Sequence, residues 1–157
     1  VKMSAGVEWA IHCCVVLSQA DGPVSAQRLA EFHGVSRTYL AKSLQSLSRA
    51  GIVETTEGRV GGYVLARPAT DVTVLSVVEA IEGRERAFRC TEIRQNGPFG
   101  MPPEECLRPC GVAKVMANAE RAWRASLREV TIADLGGQLA DLMDEPTQVA
   151  VGKWLRP

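Results

Sequence analysis

The chain has 157 residues, with 18 Lys and Arg against 18 Asp and Glu, so it is formally neutral at pH 7; 46% of it is hydrophobic and 23% charged. That length supports one sizeable core, or a small domain with an appendage, and the composition is that of an ordinary globular protein rather than a disordered or fibrous one. No apolar run approaches the roughly 18 residues of a membrane helix, and no signal-peptide pattern opens the sequence, so a cytoplasmic protein without a membrane partner is expected.

The first predicted helix runs from about Ser4 to Ser18, its apolar stripe made by Val7, Ala10, Ile11, Cys14 and Leu17. Glu8 and His12 are four positions apart and project from one face. By spacing alone they form a local contact on a solvated helix. Cys13 and Cys14 fall on or near the buried side and read as small hydrophobes. Trp9, beside Glu8, reads as core. Asp21-Gly22-Pro23 turns the chain into the next unit.

From Val24 to Tyr63 the pattern is helix, tight turn, helix, hairpin. One helix opens at Ser25 and carries Ala26, Leu29, Ala30 and Phe32 before His33-Gly34 breaks it. A second restarts with Ser36 as N-cap, aligns Leu40, Leu44 and Leu47 on one face with Tyr39 beside them, and ends at Ala50-Gly51. Ile52-Val53-Glu54-Thr55 and Tyr63-Val64-Leu65-Ala66 are predicted strands around a glycine-rich tip. This is a winged helix-turn-helix pattern. The early turns of the second helix offer Ser36, Arg37, Thr38, Tyr39 and Lys42, the side-chain types that reach base edges and phosphates from a recognition helix. The wing tip, Glu57 to Gly62, has Arg59 as its one cation. Between Ser25 and Arg67 six cations face three anions, a surplus of +3 in a neutral chain. Double-stranded DNA is therefore the expected partner, with a protein-interaction winged helix as the alternative.

A fourth helix is predicted over Val74–Glu82, stopped by Gly83. Regularity then fades from Arg84 to Pro109, a stretch marked by Asn96-Gly97-Pro98 and Pro102-Pro103; Cys90 and Cys106 lie within it, and Cys110 follows directly. So long a loop inside a small protein points to function. Cysteines in a cytoplasmic chain favour reduced thiols or metal ligands over structural disulfides. Pro109-Cys110-Gly111 launches a long helix whose stripe is Val112, Val115, Met116, Ala119, Trp123, Leu127 and Val130. Such a rod, roughly 28 Å long, suits pairing with a second copy, and paired helix-turn-helix units read palindromic operators. Thr131 caps a last predicted helix, Ile132 to about Met143. The tail from Asp144, with Trp154 and Leu155, receives no element. The expected fold is mainly α with a small β-hairpin wing, a winged helix-turn-helix plus a long dimerisation helix. Its expected divisions are 1–68 for DNA binding, 69–143 for the cysteine loop and dimerisation helix, and 144–157 for the tail.

Several landmarks occur in the order found in the Rrf-type winged-helix regulators typified by IscR and NsrR. They are Pro-Val-Ser-Ala-x-Arg-Leu-Ala-Glu from Pro23, Val-Ser-x-x-Tyr-Leu-x-Lys from Val35, Arg-Ala-Gly-Ile-Val from Arg49, and Gly-Gly-Tyr-x-Leu-Ala-Arg-Pro from Gly61. Glu82-Gly83 and Thr131-Ile132-x-Asp134-Leu135 complete the series, and the resemblance covers roughly residues 4–143. It implies a dimeric bacterial transcription factor whose DNA affinity depends on an iron–sulfur cluster. Two features depart from that pattern: the wide gap between Cys90 and Cys106, where cluster-binding members carry closely spaced cysteines, and Glu57-Gly58 where many relatives have Arg-Gly in the wing, which shifts the expected wing contact to Arg59.

The cysteine spacing is more similar to the RsrR type, a 2Fe–2S subgroup. Val-Glu-Trp-Ala from Val7 and Cys-Thr-Glu-Ile-Arg-Gln from Cys90 both match it. That resemblance implies Cys90 and Cys110 on one iron and Glu8 and His12 on the other, the helix pair being Glu8 and His12 of the partner subunit. Imidazole in place of thiolate raises a cluster's reduction potential, which suits a redox sensor. Trp9 would then stand where it can report the cluster's state to the DNA-binding unit. Cys106 is the spare thiol. A zinc site from the same residues, or a cluster-free Cys106–Cys110 thiol switch, remains open. An enzyme such as a thiol oxidoreductase, with a small-molecule substrate, is not expected: the chain has no Cys-x-x-Cys at a helix start, no glycine-rich nucleotide loop and no convergent Ser/His/Asp set. The expectation is a redox-responsive transcriptional repressor.

Overall fold

The computed structural model describes residues 2–58 and 60–156. They form two compact units, Lys2–Arg84 with Leu127–Pro157, and Glu85–Ser126.

The first unit is built around helix α1 (Ala5–Gln19), which packs against α3 (Arg37–Arg49), α4 (Val74–Glu82) and α6 (Ile132–Leu142). Cys13 and Cys14 are fully buried in this core with Leu29, Leu40, Leu44, Leu47 and Ile132, as their reading as small hydrophobes requires. Burial of each such leucine contributes about 1.5–3 kcal/mol. Glu82, at the end of α4, reaches back to the start of α1: its carboxylate accepts from the Ser4 N–H at 2.8 Å and from the Ser4 hydroxyl at 2.6 Å.

Helix α2 (Ala26–His33) starts where the Ser25 hydroxyl accepts the Arg28 N–H at 3.2 Å. It stops at Gly34, whose φ of 62° is open to glycine at little cost. The Gly34 N–H donates to Glu31 and the Val35 N–H to Ala30, which satisfies the last carbonyls of the helix and swings the chain into α3. Strands β1 (Val53–Thr56) and β2 (Gly62–Leu65) pair antiparallel, with Val53 opposite Leu65 and Thr56 opposite Gly62. Gly62 is needed at its position. A side chain there would start 2.7 Å from the Val24 carbonyl, because Val24 and Tyr63 exchange both backbone hydrogen bonds across that gap.

A second short pairing joins Thr73 and Thr131, with Ile132 N–H donating to Val72 and Val74 N–H to Val130. It aligns the starts of α4 and α6, each capped by its threonine; Thr131 and Asp134 form a reciprocal capping box. The segment after Asp144, given no element from sequence, is helix α7 (Glu145–Leu155). Asp144 caps it, Leu155 is buried, and Trp154 lies 5.7 Å from the Phe32 ring with the Arg28 guanidinium 5.5 Å over its face.

The second unit contains a loop with two short 3-10 turns, Ile93–Gln95 and Pro103–Glu105, and most of helix α5 (Gly111–Arg128). Glu120 on α5 accepts from the Trp123 indole at 3.1 Å and from Arg124 at 2.6 Å. No side chain of α5 is buried, and Val112 and Val115 are each 64% exposed. Among the described residues no helix is long and apolar enough to cross a membrane.

Candidate nucleic-acid interface and metal centre

The core dictates which face of α3 is free. Leu40, Leu44 and Leu47 are wholly buried, so Ser36, Arg37, Thr38, Tyr39 and Lys42 stand on the solvent side. The Ser36 hydroxyl forms no capping bond to α3, which leaves it available to a phosphate. Arg37 and Lys42 have no ion-pair partner among the described residues. Tyr39 is 61% exposed; the Lys42 ammonium sits 5.3 Å over its ring and Trp9 of α1 meets it edge-on at 6.3 Å. Trp9 is thus half-buried, packed against the core on one side and touching the recognition helix on the other. Glu57 and Gly58 of the wing tip are exposed, as is Val60, while Arg59 lies outside the described residues. Uncommitted cations and hydroxyls on the first turns of a well-anchored helix, next to a narrow hairpin, make a surface that complements duplex phosphates.

Glu8 and His12 are both exposed on α1 and line one open cleft with Ile11. The local Glu–His contact that their spacing allows is not made. The Glu8 carboxylate has no hydrogen-bond or ion-pair partner among the described residues, so its lone pairs are open to a metal. The His12 ring stands 5.8 Å from His33, whose imidazole is held below its usual pKa by burial and by His12.

In the second unit Cys110 is the residue from which α5 starts: its carbonyl accepts the first helical bond, from Lys114, and its Sγ accepts the Ala113 N–H at 3.4 Å. Cys90 is exposed beside a cleft of about 80 Å³ lined by Phe88, Ala113 and Met116, and Cys106 is buried. All five cysteines are free thiols.

Sequence reasoning missed the residue that ties the loop together. Arg94 donates to the Cys106 carbonyl at 3.4 Å and the Arg108 carbonyl at 2.9 Å, and pairs with Glu92. The hydrogen bond to Glu92 raises its pKa above the usual guanidinium range, and the Cys106 and Cys110 thiols add to that shift. A fixed positive charge therefore stands near two of the three loop sulfurs. Glu92 adopts φ 54°, the one positive φ outside glycine among the described residues, a conformation held against its own cost.

The donor chemistry fits iron–sulfur binding: two thiols, and a carboxylate–imidazole pair without hydrogen-bond or ion-pair partners among the described residues. Within the one chain, among the described residues, no three His, Cys, Asp or Glu side chains are gathered as a metal-holding group.

Residues 3–138 match the family Rrf2, described as iron-dependent transcriptional regulator. The chain belongs to the Rrf2 family. It is 29% identical over 137 residues to the HTH-type transcriptional repressor NsrR of Streptomyces coelicolor, covering 84% of this chain and 87% of that one. Its fold is similar to that of CymR, the global cysteine regulator of B. subtilis, with a TM-score of 0.68 at 21% identity over 88% of this chain and 98% of the other. It is also similar to T. potens IscR, with a TM-score of 0.67 at 24% identity over 91% and 89% of the two chains. This Rrf2-family protein is a helix-turn-helix transcriptional regulator with the expected winged-helix fold, and its relatives are regulators rather than enzymes.

Proposed function

We propose that this Rrf2-family regulator is a cytoplasmic, homodimeric repressor of the RsrR type whose affinity for a palindromic operator is set by a 2Fe–2S cluster. Cys90 and Cys110 of one chain, with Glu8 and His12 of the partner subunit, would hold it. The observation that carries this reading is the pair of donor sets: a carboxylate and an imidazole without hydrogen-bond or ion-pair partners on α1, and a thiol at the N-terminus of α5.

When bound, the cluster supplies reversible one-electron chemistry, at a potential raised by its imidazole ligand. The chain's own residues do the rest. Arg94, paired with Glu92, ties the Cys106 and Arg108 carbonyls together and so holds the loop backbone leading into Cys110. Helix α1 carries Glu8 and His12 on its exposed face while its other faces pack on α3, so a displacement of α1 moves the recognition helix. Ser36, Arg37, Thr38, Tyr39, Lys42 and Arg59 contact DNA. Operators fix the separation of half-sites, so a small change in the spacing of two recognition helices lowers affinity steeply.

Anaerobic purification followed by absorption spectroscopy and iron and sulfide analysis tests the assignment. Wild type is expected to carry iron and sulfide in equal amounts, Cys90→Ala and Cys110→Ala to lose both, and Cys106→Ala to keep them. A colourless, iron-free protein that still binds its operator in a redox-dependent way supports the thiol switch instead.

A further inference from the structure

Within the first unit, α1, α2, α6 and α7 line a pocket of about 540 Å³ that DNA binding does not use and that shares only His12 with the cluster reading. That volume falls in the range of sites that take small organic ligands. Its walls are apolar: Val16 from α1, Phe32 from α2, Leu139 from α6, Met143 just after it, and Val151 from α7.

The polar groups around it sort into committed and free. Gln148 spends its amide on the Ala140 and Met143 carbonyls at 2.8 and 3.0 Å. Asp21 and Arg156 neutralise each other at 2.8 Å. Gln19 bonds to Ser18. Two groups remain besides His12, which is assigned to iron. Lys153 has no partner among the described residues, and His33 Nε2 is shut off from solvent without a hydrogen-bond partner.

We propose that this pocket binds an amphiphilic monocarboxylate, its apolar body between Phe32 and α6 and its carboxylate held by Lys153. An apolar chamber with one unpaired cation, the exposed Lys153, matches a ligand with a single anionic end. A medium-chain fatty acid and an aromatic carboxylic acid share that chemistry. The site takes no residue from the DNA-contacting face and shares only His12 with the proposed iron ligands.

Gly152 provides the blocking variant. It lines the pocket within α7, and a Cβ added there meets nothing within 4 Å, so Gly152→Leu fills the chamber without clashing at its root. Replacement of a helical glycine also favours the helix. The experiment is calorimetric titration of the full chain with decanoate, below its micellar concentration, alongside decanol and thermal melting. Decanoate is expected to bind saturably, one per chain, and to raise the melting temperature, with decanol at least ten-fold weaker. Gly152→Leu is expected to melt no lower than wild type without ligand and to lose at least ten-fold in decanoate affinity; Lys153→Gln should erase the preference for decanoate over decanol. Equal binding of the two ligands by wild type overturns the carboxylate assignment. Absence of saturable binding, or unchanged binding by Gly152→Leu, overturns the site.

Discussion

Cysteine chemistry in this protein is decided by surroundings rather than by residue type. Burial pushes the Cys13 thiol up to about 12, and Cys14 is raised further by burial and by Cys13. Both therefore stay protonated and inert, whereas Cys90 is exposed. Iodoacetamide at pH 8 on cluster-free protein is expected to alkylate Cys90 first and to reach Cys13 and Cys14 only after unfolding, as read by peptide mass spectrometry. Early labelling of Cys13 or Cys14 contradicts the burial. On the DNA face, Lys42→Ala should weaken binding to all duplexes alike and reduce the slope of log affinity against log salt by about 1; an unchanged slope removes Lys42 from the phosphate contacts. Much at this scale was legible. Ser36, Arg37, Thr38, Tyr39 and Lys42 were readable as solvent-facing because Leu40, Leu44 and Leu47 fix the helix phase, and Glu8 and His12 as sharing one face because they are one turn apart. Arg94 was not legible: its partners are backbone carbonyls at Cys106 and Arg108, and no side-chain pattern marks a carbonyl that a loop will turn inward.

At the scale of elements, the signals that worked were local ones. Ser25, Gly34, Thr131 and Asp134 act at the helix ends where caps and a left-handed glycine belong, and each can be read within a few residues. Helix α7 had such signals too, in Asp144 and Pro146, but lacked an apolar stripe to say that it would pack. Its docking depends on Leu155 and on the stack of Trp154 with Phe32 and Arg28, contacts more than a hundred residues apart in the chain. Leu155→Ala is expected to destabilise the protein by about 2–5 kcal/mol in urea unfolding. A change within error means that α7 contributes nothing to the core.

For the whole molecule, the exposed stripe of α5 is the feature that a single chain leaves unexplained. Val112, Val115 and Met116 lie open on a helix of 18 residues, an arrangement that a second copy would cover. Val115→Glu should convert the dimer to monomer in sedimentation experiments and weaken operator binding in parallel; a dimer that persists places the interface elsewhere. The stripe could be read from sequence because its period is helical. What covers it could not, because an apolar face marks burial without naming the partner. The central claim is that a redox-active centre governs how tightly paired recognition helices hold DNA, and the most direct measurement is operator affinity, taken anaerobically, with the same protein first oxidised and then reduced. The account predicts affinities at least ten-fold apart for wild type and Cys106→Ala, and a single redox-independent value for Cys110→Ala. Equal affinities for oxidised and reduced wild type carrying its full iron and sulfide would contradict it.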